Sequence, residues 1–301
     1  MGGGRLRGYV RVGHTLLAGK LDELDTLDQG LRKGTFMVIG VMGAGRLGSA
    51  VLAGLLASGH AAEDVVVAEK DAARAAEIAG QHGVEVHPPT VVAQRADVLL
   101  VVVKPQDVAA ALTEVAPVVA ADTLVVSLAA GVTTAAIEGH LPSKPPVIRV
   151  MTNTPLLVGA AMSAICAGQH AGDRHLAAAE ALLEPVGQVV RVSEASLDAV
   201  TALSGSGPAY FFYVVEALVE AGVRLGLPRA LATQLVTQTA TGSARMLAET
   251  GENPALLREA VTSPAGTTIA ALHHLDRAAV RAALMDACLA ASDRSRELGQ
   301  T

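Results

Sequence analysis

The stretch GAGRLG has the residue spacing of a phosphate-binding turn. Gly43, Gly45 and Gly48 form G-x-G-x-x-G between an apolar run, MVIGVM, and a helical stretch, RLGSAVLAGLLASG. In such a turn the first glycine permits a tight bend, the second lets a pyrophosphate approach the backbone, and the third lets helix pack on strand. The helix that follows presents free N–H groups and a positive dipole end to the anion. The spacing therefore predicts a dinucleotide site.

Glu69 lies about 20 residues beyond the turn, at the end of the next apolar run, DVVVAEK. An acid at this position usually accepts hydrogen bonds from the adenosine ribose 2′-OH and repels a 2′-phosphate, which favours NAD over NADP. Lys70 and Arg74 follow it closely and could neutralise a phosphate, or could simply face solvent. These residues leave the choice of cofactor open.

Three later strand ends carry small or polar residues: VVKPQ, SLAAGV and RVMTNTP. Ligands of open α/β sheets lie beyond the carboxyl ends of the strands, so the three segments are expected to line one crevice. Ala129, Ala130 and Gly131 would let a flat ring lie against backbone, and Asn153 offers hydrogen bonds. Each segment alone could be an ordinary turn, but their recurrence on successive strands favours a site.

A further candidate, SPAGTT, interrupts a helical region near the C-terminus, from Ser263 to Thr268. These residues could connect two helices. They could also present a set of backbone N–H groups to a negatively charged ligand at the start of the next helix.

Two kinds of pattern place these motifs in a fold. From Met37, short apolar strands alternate with helical stretches, which predicts an α/β fold with a doubly wound parallel sheet of the Rossmann type. After about residue 160 one more strand pattern, GQVVRVS, precedes long helical runs. We predict an N-terminal extension over 1–36, a dinucleotide-binding domain over 37–198, and an all-helical domain over 199–301.

Residues 1–36 differ from the rest, with a Gly-rich start and scattered charges, and a strand pattern begins abruptly at Met37. We interpret them as a dispensable or wrongly assigned extension, with an organelle-targeting leader as the alternative. A secretory signal is not expected, because neither a clear apolar segment nor a cleavage site is evident.

Composition excludes several classes of protein. The 301 residues are 51% hydrophobic and 17% charged, with a net charge of −6 and no Lys/Arg block, so no nucleic-acid partner is expected. The apolar runs are shorter than the roughly 20 residues that span a bilayer. Cys166 and Cys288 lack CxxC spacing, which suggests a reducing cytoplasm. No metal site is predicted, since the adjacent His273 and His274 diverge by about 100° on a helix.

Several motifs together resemble one family. VMGAGRLGSA, VVKPQ, SLAAGVTT, RVMTNTP, LDAVTALSGSGPAYFF and LREAVTSPAGTTIAALHHLD are similar to pyrroline-5-carboxylate reductase, from Met37 to about Leu298. The resemblance implies reduction of the cyclic imine 1-pyrroline-5-carboxylate to L-proline, the last step of proline biosynthesis, with hydride from NADPH or, as the alternative, NADH. It also implies that residues 199–301 form the dimerisation and substrate-binding domain of an obligate homodimer, with a decamer of five dimers as a further assembly. The run AYFFYVVEALVEAGVRLGL, apolar on nearly every side, agrees with a helix buried between partners.

The resemblance assigns residues as well. It makes the turn of Ser263, Pro264, Ala265, Gly266, Thr267 and Thr268 the site of the substrate carboxylate, with Thr268 as the main side-chain donor and the catalytic residue. Lys104 is a weaker candidate, because a positive charge near an iminium would oppose the reaction. The residues predicted to bind the cofactor are Gly43, Ala44, Gly45, Arg46, Leu47, Gly48, Ala68, Glu69, Lys70, Val103, Lys104, Pro105, Ala129, Ala130, Gly131 and Asn153.

Ala265 departs from the family pattern, which has Gly there, so a positive φ at this residue would be strained. Arg46 stands where the family commonly has Asn and could reach a pyrophosphate. Two other functions stay open. A β-hydroxyacid dehydrogenase would need a catalytic Lys, which SGSGPAYFFYVVEA lacks, and a non-enzymatic dinucleotide sensor would bind without turnover.

Overall fold

The computed structural model describes residues 37–299. The predictions made for residues 1–36 therefore lie outside the described part of the chain. Eight strands form a single sheet: β1 (Ile39–Met42), β2 (Val65–Ala68), β3 (Glu85–Val86), β4 (Val98–Val101), β5 (Leu124–Ser127), β6 (Val147–Met151), β7 (Ala161–Ala167) and β8 (Gly187–Arg191). Their order across the sheet is β3-β2-β1-β4-β5-β6-β7-β8.

Helices cover the sheet and then continue alone. Within residues 37–299 the α-helices are α1 (Arg46–Ala57), α2 (Ala72–His82), α3 (Pro89–Arg95), α4 (Val108–Val115), α5 (Thr134–Gly139), α6 (Asp173–Leu183), α7 (Leu197–Val200), α8 (Gly207–Arg224), α9 (Arg229–Thr250), α10 (Pro254–Ala260), α11 (Thr267–Arg277) and α12 (Val280–Leu298). A π-helical turn, Thr201–Gly205, lies between α7 and α8. None of the described helices is long and apolar enough to cross a membrane.

The predicted doubly wound sheet is confirmed. Strands β1, β2, β4 and β5 are buried at every position, as expected for Val- and Leu-rich strands covered by helices on both faces. The first six strands all pair in parallel. Met42 at the end of β1 lies opposite Ala68 on one side and Val101 on the other. The loops after β1, β2 and β4 therefore meet at one edge of the sheet, as the site prediction requires.

The expectation of a single further strand after about residue 160 is wrong. Two strands follow there, because the segment AMSAICA forms β7, which pairs antiparallel to β6 and parallel to β8. Its buried residues fit a strand covered on both faces. The short connection from β6 allows antiparallel pairing, whereas a parallel pairing would need a longer crossover.

The sheet ends at Arg191, and helices make up the described chain from Leu197 onwards. The predicted domain boundary at 198/199 therefore stays a proposal. In this helical region large apolar side chains are exposed: Phe211 is 70% accessible and Tyr213 is 74% accessible. Helix α8 has only Gly207 and Val219 buried. Packing within one chain thus leaves the apolar surface of α8 largely uncovered.

Candidate active site

The glycine turn has the geometry that its spacing predicts. Gly43 has φ +94°, and an added Cβ would stand 3.0 Å from the carbonyl oxygen of Val102. A Cβ at Gly48 would collide with the carbonyl oxygen of Gly43. At Gly45, by contrast, no neighbouring atom of the described chain lies within 4 Å of the Cβ position. Two glycines are therefore required by the protein's own packing, and the third leaves open space for an approaching ligand.

Helix α1 begins at this open position without a side-chain cap. Its N-cap residue, Gly45, has ψ −167° and no side chain that could accept from the first turn. The first intrahelical bond runs from the Ser49 N–H to the Gly45 carbonyl at 2.9 Å. The N–H groups of Arg46, Leu47 and Gly48 precede that bond and form the donor set that a helix N-terminus offers to an anion. The residues fit the pyrophosphate of a dinucleotide.

Glu69 contacts the glycine turn directly. Its Oε2 accepts a 2.9 Å hydrogen bond from the N–H of Ala44, and its Oε1 accepts a 3.0 Å bond from the N–H of Asp71. Arg74 bonds the other backbone polar group of the same residue, because its Nε donates to the Ala44 carbonyl at 3.0 Å. Its Nη2 donates to Ser49 Oγ at 2.7 Å. The acid predicted to read the ribose and the turn predicted to hold the phosphates are thus hydrogen-bonded to each other.

The loops after β4 and β5 line a cavity of about 860 Å³. Of the predicted cofactor residues it contains Pro105, Ala130 and Gly131, and it also contains Thr201 and Ser206 from the helical region. The other predicted residues of these two loops do not line it: Lys104 is exposed, Val103 lies beside Gly43, and Ala129 is in the core. The cavity is large enough for a nicotinamide ring and a small substrate.

Asn153 is engaged within the protein. Its Nδ2 donates to the carbonyl and the hydroxyl of Ser204, at 3.1 and 3.2 Å, and its Oδ1 accepts from the N–H of Met162 at 3.0 Å. The side chain therefore joins the end of β6 to β7 and to the π-helical turn. A direct contact with the cofactor, as predicted, would compete with these bonds.

The segment from Ser263 to Thr268 forms a tight turn that opens α11. The N–H of Gly266 donates to the Ser263 carbonyl at 3.1 Å, and Ala265 has φ +57°. Proline in second place and a positive φ in third place are the features of a type II turn. The strain anticipated for an alanine at this position is therefore present. A Cβ at Gly266 would collide with the Ser263 hydroxyl, so the second small residue is needed for close packing.

Helix α11 starts with the same uncapped arrangement as α1. Its N-cap residue is Gly266, with no side-chain cap, and Thr267 is the first helical residue. Most of the turn is exposed, with Gly266 and Thr268 half-buried. No residue of the turn lines the 860 Å³ cavity. Within one chain the two predicted binding elements are not part of the same cavity.

One ion pair, between a buried arginine and a half-buried glutamate, was missed by the reasoning from sequence. Arg149, on β6, is buried and its Nη1 donates to Glu194 Oε1 at 3.0 Å. Glu194 also accepts from the N–H and hydroxyl of Thr134, at 2.8 and 2.7 Å, at the start of α5. Burial acts to raise the pKa of Glu194, but the bonds from Thr134 and Arg149 outweigh it and lower that pKa. The available signal was Arg149 within the apolar segment VIRVM, because a buried charge needs a partner.

The described residues contain no group of three or more His, Cys, Asp or Glu side chains placed to hold a metal ion. The mostly parallel sheet, the glycine turn and the acid after β2 define a Rossmann-type, dinucleotide-binding protein with an appended helical region. Residues 38–131 match the family model described as "NADP oxidoreductase coenzyme F420-dependent". Residues 194–298 match the model "Pyrroline-5-carboxylate reductase dimerisation".

Comparisons over most of the chain give the same family. The chain is 42% identical over 266 residues to a pyrroline-5-carboxylate reductase of Corynebacterium melassecola, covering 87% of this chain and 98% of that protein. It is 39% identical over 264 residues to one of Methanosarcina acetivorans, with coverages of 87% and 98%. A pyrroline-5-carboxylate reductase structure from Coxiella burnetii superimposes with a TM-score of 0.83 at 34% identity, covering 88% of this chain and 100% of that one. The protein belongs to the pyrroline-5-carboxylate reductase family, as its motifs predicted.

A further solved relative carries a cofactor. The Plasmodium falciparum pyrroline carboxylate reductase, described with NADP bound, superimposes with a TM-score of 0.78 at 26% identity, covering 87% of this chain and 98% of that one.

Proposed function

We propose that this protein reduces 1-pyrroline-5-carboxylate to L-proline, the last step of proline biosynthesis, with NADPH or NADH as the reductant. The observation that carries the proposal is the pair of uncapped helix starts, at Gly45 and at Gly266, in a chain of this family. Each presents backbone N–H groups to an anion. One suits the diphosphate of a dinucleotide and the other suits the carboxylate of a small ring acid.

The Ser263–Gly266 turn and the two threonines after it would hold the substrate carboxylate. The backbone N–H groups at the start of α11 carry the positive end of the helix dipole, which favours a negative charge. Thr268, half-buried in the first turn of α11, would add a hydroxyl that donates to the substrate carboxylate or accepts from the protonated ring nitrogen. We therefore retain Thr268 as the proposed catalytic residue.

A dinucleotide held at the Gly43–Gly48 turn would supply a hydride to the carbon of the C=N bond, whose π electron pair would pass to nitrogen. A substrate that arrives with its nitrogen protonated is already electrophilic, so the protein need not supply a strong acid. The protein's own contribution is to hold the ring at reacting distance, an effect of up to about 7 to 11 kcal/mol in favourable cases. Excluding water from the 860 Å³ cavity would add to it.

The active unit would be a homodimer built by the helical regions. The exposed apolar side chains of α8, such as Phe211 and Phe212, need a partner surface. Since the Ser263–Thr268 turn does not line the cavity of its own chain, we place it opposite the cavity of a partner chain. A decamer of five dimers is a further proposed level of assembly. The two unpaired cysteines favour the cytoplasm as the location.

The test is to mix purified protein with pyrroline-5-carboxylate and either reduced cofactor and to follow the loss of nicotinamide absorbance. We expect turnover and formation of proline. Thr268→Ala should lower kcat/KM about 100-fold, since a positioned donor at the reacting group is worth 10²- to 10³-fold. Thr250→Ala is the control, because the Thr250 hydroxyl bonds the Met246 carbonyl within α9, outside the turn. No turnover with either cofactor would exclude the proposed reaction, and an unimpaired Thr268→Ala enzyme would exclude the role of Thr268.

A further inference from the structure

We propose that Glu69 selects the cofactor and makes the protein prefer NADH over NADPH. This rests on the proposed function, because it requires that a nicotinamide dinucleotide binds at the glycine turn. It differs from the prediction drawn from the sequence, which placed NADPH first. The reason lies in how the charged groups after β2 are paired.

Glu69 is held in place before any cofactor binds. The residue directly follows β2, whose last residue, Ala68, accepts a 2.9 Å bond from the N–H of Gly43. Both carboxylate oxygens of Glu69 accept from backbone N–H groups, those of Ala44 and Asp71. An ionised carboxylate has about four acceptor positions, so Glu69 can accept a ribose hydroxyl while it keeps these bonds. A hydroxyl bonded to a carboxylate makes one of the stronger hydrogen bonds in proteins.

Arg74, the cation best placed to meet a 2′-phosphate, is committed elsewhere. It donates to the Ala44 carbonyl at 3.0 Å, to Ser49 Oγ at 2.7 Å and to Glu77 at 2.7 Å. Together these contacts tie α2 to the glycine turn. Turning the guanidinium towards a phosphate would break them, so Arg74 supports the turn and is not available as a phosphate ligand.

Lys70 is a weak substitute. Its side chain is 84% exposed, and its Nζ lies 3.3 Å from Asp107. An exposed lysine of this kind would contribute little to the binding of a 2′-phosphate, because the ammonium group and the phosphate would both remain solvated.

The remaining charge is negative. Lys70 is paired with Asp107 and Arg74 with Glu77, and within residues 37–299 no ion pair joins Glu69 or Asp71 to a cation. Asp71 also occupies the start of α2, where its Oδ1 accepts from the N–H of Arg74 at 2.8 Å. That helix start is therefore closed to another anion. A 2′-phosphate, with a charge of about −1.5 to −2, would meet two carboxylates, whereas a 2′-OH would meet an acceptor.

The experiment measures binding without turnover. ADP-ribose and its 2′-phosphate derivative are titrated into the full-length protein by isothermal calorimetry, with no substrate present. We expect ADP-ribose to bind at least about tenfold more tightly, the size of effect that one close like-charge pair produces near a protein surface. Glu69→Gln should lower the ratio of the two dissociation constants about tenfold or more, because it removes the charge that repels the 2′-phosphate. Glu63→Gln is the matched control, since Glu63 is an exposed carboxylate just before β2 and should leave the ratio unchanged.

Equal or tighter binding of the phosphorylated probe by the natural protein would overturn the inference, and that measurement decides the matter even if Glu69→Gln fails to fold. An unchanged ratio in a folded Glu69→Gln protein would overturn it as well. Kinetics separate this failure from a failure of the proposed reaction. A higher kcat/KM with NADPH than with NADH would refute the role of Glu69 and leave the reductase function intact, whereas no turnover with either would refute the function itself.

Discussion

Arg149 and Glu194 form an ion pair, 3.0 Å from Nη1 to Oε1, between the middle of the sheet and the segment that leads into the helices. The same carboxylate accepts two hydrogen bonds from Thr134 at the start of α5. One side chain therefore joins β6, the helix that follows the Ala129–Gly131 loop, and the entry to the helical region. Neutralising the Glu194 carboxylate should therefore disturb the packing of these three segments.

Glu194→Gln should lower the free energy of unfolding by about 3 kcal/mol, since it leaves the buried Arg149 without its counter-charge. Urea unfolding at one protein concentration measures the change. Glu249→Gln is the matched control, because Glu249 pairs with Arg245 at 2.8 Å with both side chains largely exposed, and a surface pair contributes about 0 to 1 kcal/mol. Equal losses in the two variants would contradict the buried role.

The stabilisation due to Glu194 should also depend on pH. Its pKa is lowered in the folded protein, because its hydrogen bonds outweigh the effect of burial. The unfolded chain, with a pKa of about 4.3, then takes up a proton before the folded one does. The contribution is therefore complete above about pH 4.3 and is lost as the pH falls through the folded pKa. We expect the difference in unfolding free energy between the natural protein and Glu194→Gln to be constant near neutrality and to shrink below about pH 4. A constant difference down to about pH 3 would refute this.

Gly266→Ala should impair substrate binding, whereas Ala265→Gly should not. A methyl group at Gly266 would force the Ser263 hydroxyl to turn away and would stand 3.2 Å from the Ser263 carbonyl oxygen, so the backbone of the turn must shift slightly. We expect KM for the substrate to rise about tenfold, as small displacements in a binding site cost that much or more.

Ala265→Gly instead relieves the positive φ of +57°. Strain of about 1 to 2 kcal/mol is removed, partly offset by the greater freedom of glycine in the unfolded chain, about 0.4 to 1 kcal/mol. Ala279→Gly is the control, because it relieves a similar positive φ, +54°, at a residue outside the substrate turn. A lower melting temperature for Ala265→Gly would count against strain at this residue.

Cys166 should resist alkylation in the native protein. Burial raises the pKa of its thiol to about 11, so almost no thiolate is present at neutral pH. In a Cys288→Ser variant, which retains Cys166 alone, we expect negligible labelling until denaturant is added. Rapid labelling of the folded variant would show that this part of β7 opens readily.

Leu218→Glu should break the dimer. Leu218, on α8, is 52% exposed in the single chain, and a charge there would be buried without a partner if α8 packs against a second copy. Leu157, 56% exposed and outside the helical region, provides the control substitution Leu157→Glu. Sedimentation should show Leu218→Glu as a monomer with little activity and Leu157→Glu as a dimer. A dimeric Leu218→Glu protein would move the interface away from this face of α8.

The sequence by itself determined the local features of this protein. Strand and helix periodicities predicted β1, β2, β4, β5 and β6 in their order along the chain but not the two-residue strand β3, which is too short to show a period. The spacing of Gly43, Gly45 and Gly48 predicted the tight turn. These features depend on residues close together in the chain. The SPAGTT motif and its companions predicted the family for the same reason, since each motif is read over a few residues. Even the difficulty at Ala265 could be anticipated, as the cost of a positive φ belongs to the residue type.

Only the tertiary structure decided which distant groups meet. The pairing of Arg149 with Glu194 spans 45 residues and that of Ala44 with Glu69 spans 25. The bonds of Asn153 to the π-helical turn and the antiparallel direction of β7 are likewise non-local. The sequence predicted that Glu69, Lys70 and Arg74 all lie near the cofactor site. It could not show that Arg74 is committed to the glycine turn, because hydrogen bonds and charge pairing depend on distances that form only when the chain packs.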